Sequence, residues 1–157
     1  MRYAKCFKSM NKSLRRIVAA LYIVALSCGC SQVVNVVSMT DVNIAKWEEP
    51  ITVTLENEAS NVIGDLTIVL HVNRLFEAQD VEFEIVSMTA DSLRYSESIA
   101  AKSVVEWPAV TAQSFDIEIP YRHNVEMRKM GQYSFTITPL TPLKGVESAG
   151  ISYKREK

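Results

Sequence analysis

The dominant pattern after residue 33 is a strict alternation of apolar and polar residues. Residues 51–56 read Ile-Thr-Val-Thr-Leu-Glu, and the same period of two recurs at 66–73, 81–85, 115–119 and 133–138. A period of two is typical of β-strands with one buried and one solvent-facing side, whereas an amphipathic helix repeats about every 3.6 residues. Val, Ile, Thr, Tyr and Phe dominate these runs and suit a pleated, half-buried surface. We therefore predict a strand at each of these segments.

Weaker alternating segments bring the predicted total to about seven to nine short strands. They lie near 33–38, 93–99, 103–107 and 149–154. Clusters of Asn, Asp, Ser, Gly and Pro separate the segments and are typical of turns. Evenly spaced strands without crossover helices predict an all-β fold. A single antiparallel β-sandwich is the preferred architecture, and a closed barrel is the alternative.

One segment, 122–130, departs from the alternation. Val125, Met127 and Met130 have a spacing that a short helix would place on one side, just before Gly131. The pattern fits a helical turn and an irregular link equally well.

The alternation also predicts which side chains form the core. In each strand the apolar positions should face inward, and the intervening polar positions, such as Thr136 and His71, should face solvent. The predicted inward set is Val53, Leu55, Leu66, Ile68, Leu70, Phe83, Ile85, Phe115, Ile117, Tyr133, Phe135 and Ile137.

The first thirty residues belong to a different class of segment. Three basic residues, Lys12, Arg15 and Arg16, precede ten apolar residues at 17–26 and then a group of small residues. This order is typical of a secretory signal peptide. A membrane-spanning helix needs roughly 20 apolar residues, so this run is too short to be one. Met10 is an alternative start to Met1, because the charged region follows it directly.

A cysteine stands where the small residues end. Residues 25–28, Ala-Leu-Ser-Cys, resemble the lipobox of bacterial lipoproteins, in which small residues precede the cysteine that receives diacylglycerol. We predict lipidation at Cys28, with Cys30 as the alternative residue and an ordinary secreted protein as the alternative class. The predicted organisation is a signal peptide at 1–27, a lipidated cysteine and tether at 28–43, and a β-sandwich domain at 44–157.

Removal of the signal peptide changes the charge of the chain. The full sequence has 17 basic and 18 acidic residues, and six of the basic residues but no acidic residue precede Cys28. The remaining part has 11 basic and 18 acidic residues. Nucleic acid is therefore a poor partner, because its binding relies on Lys and Arg that neutralise phosphates. Anionic lipid headgroups are disfavoured for the same reason, so membrane contact should come through the covalent lipid.

The sequence contains no recognisable catalytic or cofactor motif. It has two histidines, His71 and His123, and five glycines, too few for a phosphate-binding loop. Acidic residues alternate at 80–84, but strand residues two apart stand in a row about 6–7 Å apart, whereas a calcium site needs converging oxygens. A solvated acidic strand face is the preferred interpretation. We predict no catalytic residue, no metal site and no cofactor.

Two tryptophans are the candidate interface residues. Trp47 and Trp107 are each followed within three residues by a proline, at the predicted limits of strands. Exposed tryptophans often anchor protein interfaces, because they bury a large area at little entropic cost. Core packing is the preferred interpretation for both, and an interface role is the alternative. The same two interpretations apply to Tyr95, Tyr121 and Tyr133.

The order of these features carries a resemblance to a known family. After the lipobox and a short spacer come Lys-Trp-Glu-Glu-Pro-Ile at 46–51, the strand segments 65–73 and 81–85, and Ala-Asp-Ser at 90–92. The chain then has Gly-Gln-Tyr-Ser-Phe-Thr-Ile-Thr-Pro-Leu at 131–140 and a glycine-bounded stretch at 143–151. This order resembles the gliding-motility lipoprotein H family of Bacteroidetes bacteria and implies a divergent member. The family supplies no catalytic residue to carry over.

These observations together predict a non-enzymatic lipoprotein anchored to the outer membrane. It would act as a protein-interaction or scaffold component of an envelope machine, with other envelope proteins as partners. The alternative is a lipid-anchored β-sandwich that binds a glycan or small ligand, and an enzyme is the least favoured class. In the bacteria that have this family, lipoproteins exported to the cell surface tend to carry acidic residues just after the lipidated cysteine. Residues 29–35 have no charge and Asp41 is the first acidic residue, which predicts a domain that faces the periplasm.

Overall fold

The computed structural model describes residues 35–77, 80–103 and 111–155. These ranges form eight strands and contain no helix, so no helix among them is long and apolar enough to cross a membrane. The strands are β1 (Asn35–Asp41), β2 (Ile51–Asn57), β3 (Val62–Asn73), β4 (Asp80–Met88), β5 (Arg94–Lys102), β6 (Ser114–Met127), β7 (Gly131–Pro139) and β8 (Val146–Arg155).

The strands form two four-stranded sheets. Sheet one has the order β1-β8-β3-β6 and sheet two the order β2-β7-β4-β5. Every pairing is antiparallel. The predicted antiparallel β-sandwich is confirmed, and the barrel alternative is wrong because the strands form two separate sheets. The weak segments near 33–38, 93–99 and 149–154 correspond to β1, β5 and β8.

The core lies between the two sheets and follows the predicted alternation. Of the twelve residues predicted to face inward, eleven are buried. Phe115 is partly buried and packs against the core. It is the second residue of β6, an edge strand that has a neighbouring strand in its sheet on one side alone. The acidic residues Asp80, Glu82 and Glu84 are exposed on the outer side of β4, as the solvated-face interpretation expects.

The helical-turn interpretation of residues 122–130 is wrong, and an irregular link is found at 128–130 alone. Residues up to Met127 continue strand β6, and the following turn leads into β7. The pairing of β3 with β6 shifts register twice, between Gly64 and Leu66 and between Leu66 and Thr67. Asn124 lies in this irregular part with a φ of 55°, in the left-handed region. Extra residues at a bulge break the period of two, so the sequence here does not look like a strand.

Four predictions concern residues that are outside the described part of the chain. They are the signal peptide, the lipidation sites Cys28 and Cys30, the interface candidate Trp107, and most of the predicted strand at 103–107. Strand β5 ends at Lys102, and Ser103 follows it as a buried residue outside any strand.

Candidate functional site

The two sheets part at one corner of the sandwich and leave a groove of about 500 Å³. Its walls come from edge strand β5 of sheet two and from the second half of edge strand β6 of sheet one. Its deeper lining is apolar and buried, and consists of Leu66, Met127, Tyr133 and Phe135. This volume lies within the range of roughly 300–1,000 Å³ that is typical of ligand-binding clefts.

One charged residue at an inward-facing position of β5, Glu97, lines this groove. Glu97 pairs with Ile85, which is fully buried, and directly paired residues of antiparallel strands point to the same side of the sheet. The carboxylate of Glu97 therefore points toward the space between the sheets. A charge in that position costs free energy unless it has a hydrogen-bonded partner, so apolar side chains cannot pack closely around this carboxylate.

Two adjacent residues of β6, Tyr121 and Arg122, donate hydrogen bonds to this carboxylate. The Tyr121 hydroxyl donates to Glu97 Oε1 at 2.5 Å. Arg122 donates from Nε to Oε1 at 2.9 Å and from Nη2 to Oε2 at 2.5 Å, which makes a two-point ion pair. The register shift between Leu66 and Thr67 allows adjacent residues of β6 to reach the same carboxylate. The bulge in β6 thus builds the polar end of the groove.

The protonation states in this cluster favour hydrogen bonding over proton transfer. The Arg122 hydrogen bond holds the pKa of Glu97 below its usual range. Burial, together with the adjacent Glu97 carboxylate, raises the pKa of Tyr121 to about 12. At neutral pH Glu97 is an anion and Tyr121 is a neutral donor. General acid–base catalysis works best with a pKa near the operating pH, and neither group meets that condition.

Three ion pairs surround the groove, and in each of them the cation is the more exposed partner. The side-chain exposures are 55% for Arg122 against 29% for Glu97, 79% for Arg128 against 41% for Glu126, and 62% for Lys129 against 35% for Asp91. The charged residues that line the groove are therefore three cations and three carboxylates, and each cation is paired with a less exposed carboxylate.

Apolar side chains add to the same rim. Met88, Leu93 and Tyr95 line the groove, and all three are exposed. Leu93 lies in the turn between β4 and β5, and Met88 and Tyr95 lie on the two strands that this turn joins. The turn is held by the Thr89 hydroxyl, which donates to Asp91 Oδ1 at 2.5 Å and accepts from the Leu93 amide at 3.1 Å. The mouth of the groove thus combines exposed apolar area with a hydrogen-bonded backbone.

Trp47, the interface candidate within the described residues, belongs to the core. Its side chain is 1% exposed, its Nε1 donates to the Glu49 carbonyl at 2.8 Å, and its ring centroid lies 5.8 Å from that of Phe83. Its backbone forms a bridge with Leu143 through two hydrogen bonds. The core interpretation therefore applies, and the interface alternative is wrong for Trp47 because its indole is inaccessible. Of the three tyrosines, Tyr133 is buried, Tyr121 is half-buried and Tyr95 is exposed.

The histidines lie away from the groove. His71, on the outer side of sheet one, has Nδ1 2.6 Å from Asp116 Oδ1 and Nε2 3.4 Å from Glu147 Oε2. Asp116 and Ser148 are paired with His71 on the two adjacent strands. Ser, His and Asp, the residue types of a catalytic triad, therefore lie side by side here. In such a triad the second ring nitrogen faces the hydroxyl nucleophile, whereas here it faces a carboxylate. This cluster is consistent with a network of polar side chains on the protein surface.

His123 is exposed and lies 3.3 Å from Asp65, which also accepts a hydrogen bond from the Asn124 amide. Among the described residues, no group of three or more His, Cys, Asp or Glu side chains is placed to hold a metal ion.

Glu97 and Arg122 were not identified as site residues from the sequence. One signal was present, because Tyr95, Glu97 and Ile99 occupy alternate positions and a charge interrupts the otherwise apolar side of the strand. Arg122 could not be identified from the sequence in the same way, since it lies in a segment of β6 where the bulge disrupts the alternation.

Comparisons of the chain with known protein families, with characterised proteins and with solved structures give no significant match. The resemblance to the gliding-motility lipoproteins therefore rests on the sequence features described above.

Proposed function

We propose that this protein is a non-enzymatic, lipid-anchored component of the bacterial envelope that binds another envelope protein through the groove between β5 and β6. The observation that carries the proposal is the groove itself, which joins an apolar interior to a rim of exposed Met88, Leu93 and Tyr95. Exposed apolar side chains grouped around a cleft are typical of binding sites.

The proposed location follows from the N-terminal sequence. The lipobox-like residues 25–28 support an anchor in the outer membrane, and the uncharged residues after Cys28 support a periplasmic orientation. An anchor of this kind raises the local concentration of the domain near other envelope proteins. The resemblance to gliding-motility lipoproteins supports a place in a gliding or secretion machine.

A site-specific crosslinking experiment tests the proposed binding surface. A photo-crosslinking amino acid replaces Tyr95 at the mouth of the groove in one strain, and Thr54 in a control strain. Thr54 is exposed on β2, the strand at the opposite edge of sheet two. We expect a discrete protein adduct from the Tyr95 position after illumination of intact cells, and none from the Thr54 position. Equal adducts from both positions, or none from Tyr95, would contradict the proposal.

The orientation has its own test. Protease added to whole cells should leave the domain intact, and should degrade it after the outer membrane is permeabilised. Degradation in intact cells would mean that the domain faces outward.

The alternative function, binding of a glycan or small ligand, has one specific observation in its favour. Tyr95, Tyr121 and Tyr133 all line the groove, together with the donors and acceptors of the Glu97–Arg122 pair. Titration of the full-length protein with soluble peptidoglycan fragments distinguishes this function. Saturable binding that Tyr95→Ala removes and Thr54→Ala retains would favour the glycan over the protein partner.

A further inference from the structure

We infer that two copies of this protein associate through the free edges of β1, which pair antiparallel about Ser38 and join the two copies of sheet one into one continuous sheet. The observations that carry the inference are the unprotected edge of β1 and its self-complementary sequence. This second interface goes beyond the proposed function and does not involve the groove.

The edge of β1 lacks the features that keep edge strands from pairing. Within the described residues β1 pairs with β8 alone, over seven residues and without a register shift. It contains no proline, and no charged residue before Asp41. Such an edge is a template for another strand. The other edge strands carry charges or irregularities, namely Glu56 in β2, Arg94, Glu97 and Lys102 in β5, and the two register shifts of β6.

Alternate backbone groups of β1 point to this free edge. The Val42 amide donates to the Glu147 carbonyl at 3.0 Å, in the register that continues the pairing of β1 with β8. Backbone groups alternate between the two sides of a strand, so the even-numbered residues of β1 face β8. The amides and carbonyls that face the open side are those of Asn35, Val37, Met39 and Asp41.

Two such edges fit each other in a register with a two-fold axis at Ser38. In that register Val37 of one copy lies opposite Met39 of the other, and Asn35 lies opposite Asp41. These are the residues whose backbone groups face the open side, so about eight backbone hydrogen bonds can form. Ser38 then lies opposite its own symmetry mate. A surface that binds its own equivalent is typical of a two-fold homodimer.

The apolar side chains of the outer face are complementary in this register. Val37 is 50% exposed, and pairing would place it against Met39 of the second copy. Met39 is paired with Gly150, and Gly150 with Val69, which is 6% exposed although it faces away from the core. Val69, Met39 and the second copy's Val37 would thus form an apolar row across the junction.

The polar side chains of the next row are complementary as well. Ser152 Oγ donates to Asn35 Oδ1 at 2.7 Å, which leaves the Asn35 amide nitrogen to donate to Asp41 of the second copy. Asn35 is paired with Lys154, and Lys154 with Asp65 on β3. The charges along the joined row would therefore alternate, as Asp65, Lys154 and the second copy's Asp41. The acidic side of β4 lies in the other sheet, where β7 separates it from the β2 edge.

The proposed lipid anchor suits a contact of this size. One pair of seven-residue strands is small beside the roughly 1,200–2,000 Å² that stable complexes bury. Anchoring in one membrane would raise the effective concentration of the two copies. We therefore expect the dimer in the membrane.

The test places single cysteines in the full-length protein, in the membranes of intact cells and in a background with Cys6→Ser and Cys30→Ser. Directly opposed residues of a non-hydrogen-bonded pair have Cα atoms about 4.5 Å apart, which is within disulfide range. Ser38→Cys should therefore form a disulfide-linked dimer under a mild oxidant, at a yield well above that of the background.

Thr40→Cys is the matched control, on the same strand and the same side. The two copies of Thr40 would lie about 14 Å apart, so the dimer yield should be about tenfold lower. Equal yields from the two positions, or no dimer from Ser38→Cys, would overturn the inference. A disulfide adduct with a different protein would mean that another strand occupies this edge, and would also overturn it.

An exchange of charges tests the register. Asp41→Lys should reduce the yield of the Ser38→Cys dimer several-fold, and the addition of Lys154→Asp should restore it. Within one copy the two residues lie at opposite ends of the β1–β8 pairing, about 20 Å apart, so restoration requires a second copy. Asp80→Lys on β4 makes the same change in charge and should leave the yield unchanged. Equal loss with Asp80→Lys, or no restoration, would contradict this register.

These results are separable from the test of the proposed function. A Ser38→Cys dimer without a Tyr95 adduct would support this interface and contradict binding through the groove. A Tyr95 adduct without the dimer would overturn this interface and leave the proposed function in place.

Discussion

The Glu97 carboxylate and the Arg122 guanidinium join the two sheets of the sandwich by two hydrogen bonds, Nε to Oε1 at 2.9 Å and Nη2 to Oε2 at 2.5 Å. Glu97 belongs to the edge strand of sheet two and Arg122 to the edge strand of sheet one. The pair therefore links the two walls of the groove where the apolar core does not reach.

Removal of the guanidinium should destabilise the fold measurably. Arg122→Ala leaves a partly buried carboxylate with the Tyr121 hydroxyl as its remaining partner among the three groups. We expect the free energy of unfolding to fall by about 1–2 kcal/mol, because the ion pair makes two hydrogen bonds but is still accessible to solvent. Urea denaturation measures the change. Arg128→Ala, which breaks a far more exposed pair, should cost less than about 0.5 kcal/mol, and an equal loss in both variants would contradict a special role for Arg122.

The same pair should make stability depend on pH in the acid range. The pKa of Glu97 is lowered in the folded protein, so the ionised carboxylate stabilises the fold above the unfolded-state pKa of about 4.3. This contribution should be lost as the pH falls through the lower, folded-state pKa. The difference in unfolding free energy between wild type and Glu97→Gln should therefore be constant above about pH 6 and shrink below about pH 4. A difference that does not change with pH would contradict the assigned ionisation.

Gly150 should be required for the pairing of β1 with β8. A Cβ at this position would overlap the carbonyl oxygen of Ser38 and the backbone of Met39, which lie on the neighbouring strand. Gly150→Ala should cost about 1–3 kcal/mol by forcing β1 away. Hydrogen exchange should show the loss of protection in β1 before the other strands. Ser98→Ala on exposed β5 is the control, and similar protection of β1 in both variants would show that the strand accommodates the methyl group.

Lipidation is the prediction on which the proposed location depends. Cys28→Ala should give an unprocessed or soluble product, whereas Cys30→Ala should change little. Mass spectrometry of the mature N-terminus identifies the modified residue. A cleaved N-terminus without lipid would contradict the lipoprotein assignment, and a lipid on Cys30 would shift the site to the alternative residue.

The sequence was informative where the chain follows one simple period. In β2, β4 and β7 the inner and outer residues alternate without interruption, so Val53, Phe83 and Phe135 were identified as core residues. Trp47 has no such pattern, because it lies in an isolated bridge and is buried by tertiary contacts. The groove was not predictable, since it depends on the register shifts of β6 and on the approach of Arg122 to Glu97. Both are properties of strand pairing, which local sequence does not determine.

The order of strands in sheet one constrains when the protein can fold during its synthesis. Strand β8, the last of the described strands, lies between β1 and β3, so β1 has no neighbour in its sheet until β8 has been synthesised. Completion of sheet one must therefore wait for β8, and a ribosome-bound or truncated chain that lacks β8 would leave β1 and one edge of β3 unpaired. The unpaired strand edges of such a chain would be open to association with other chains and to chaperones and proteases.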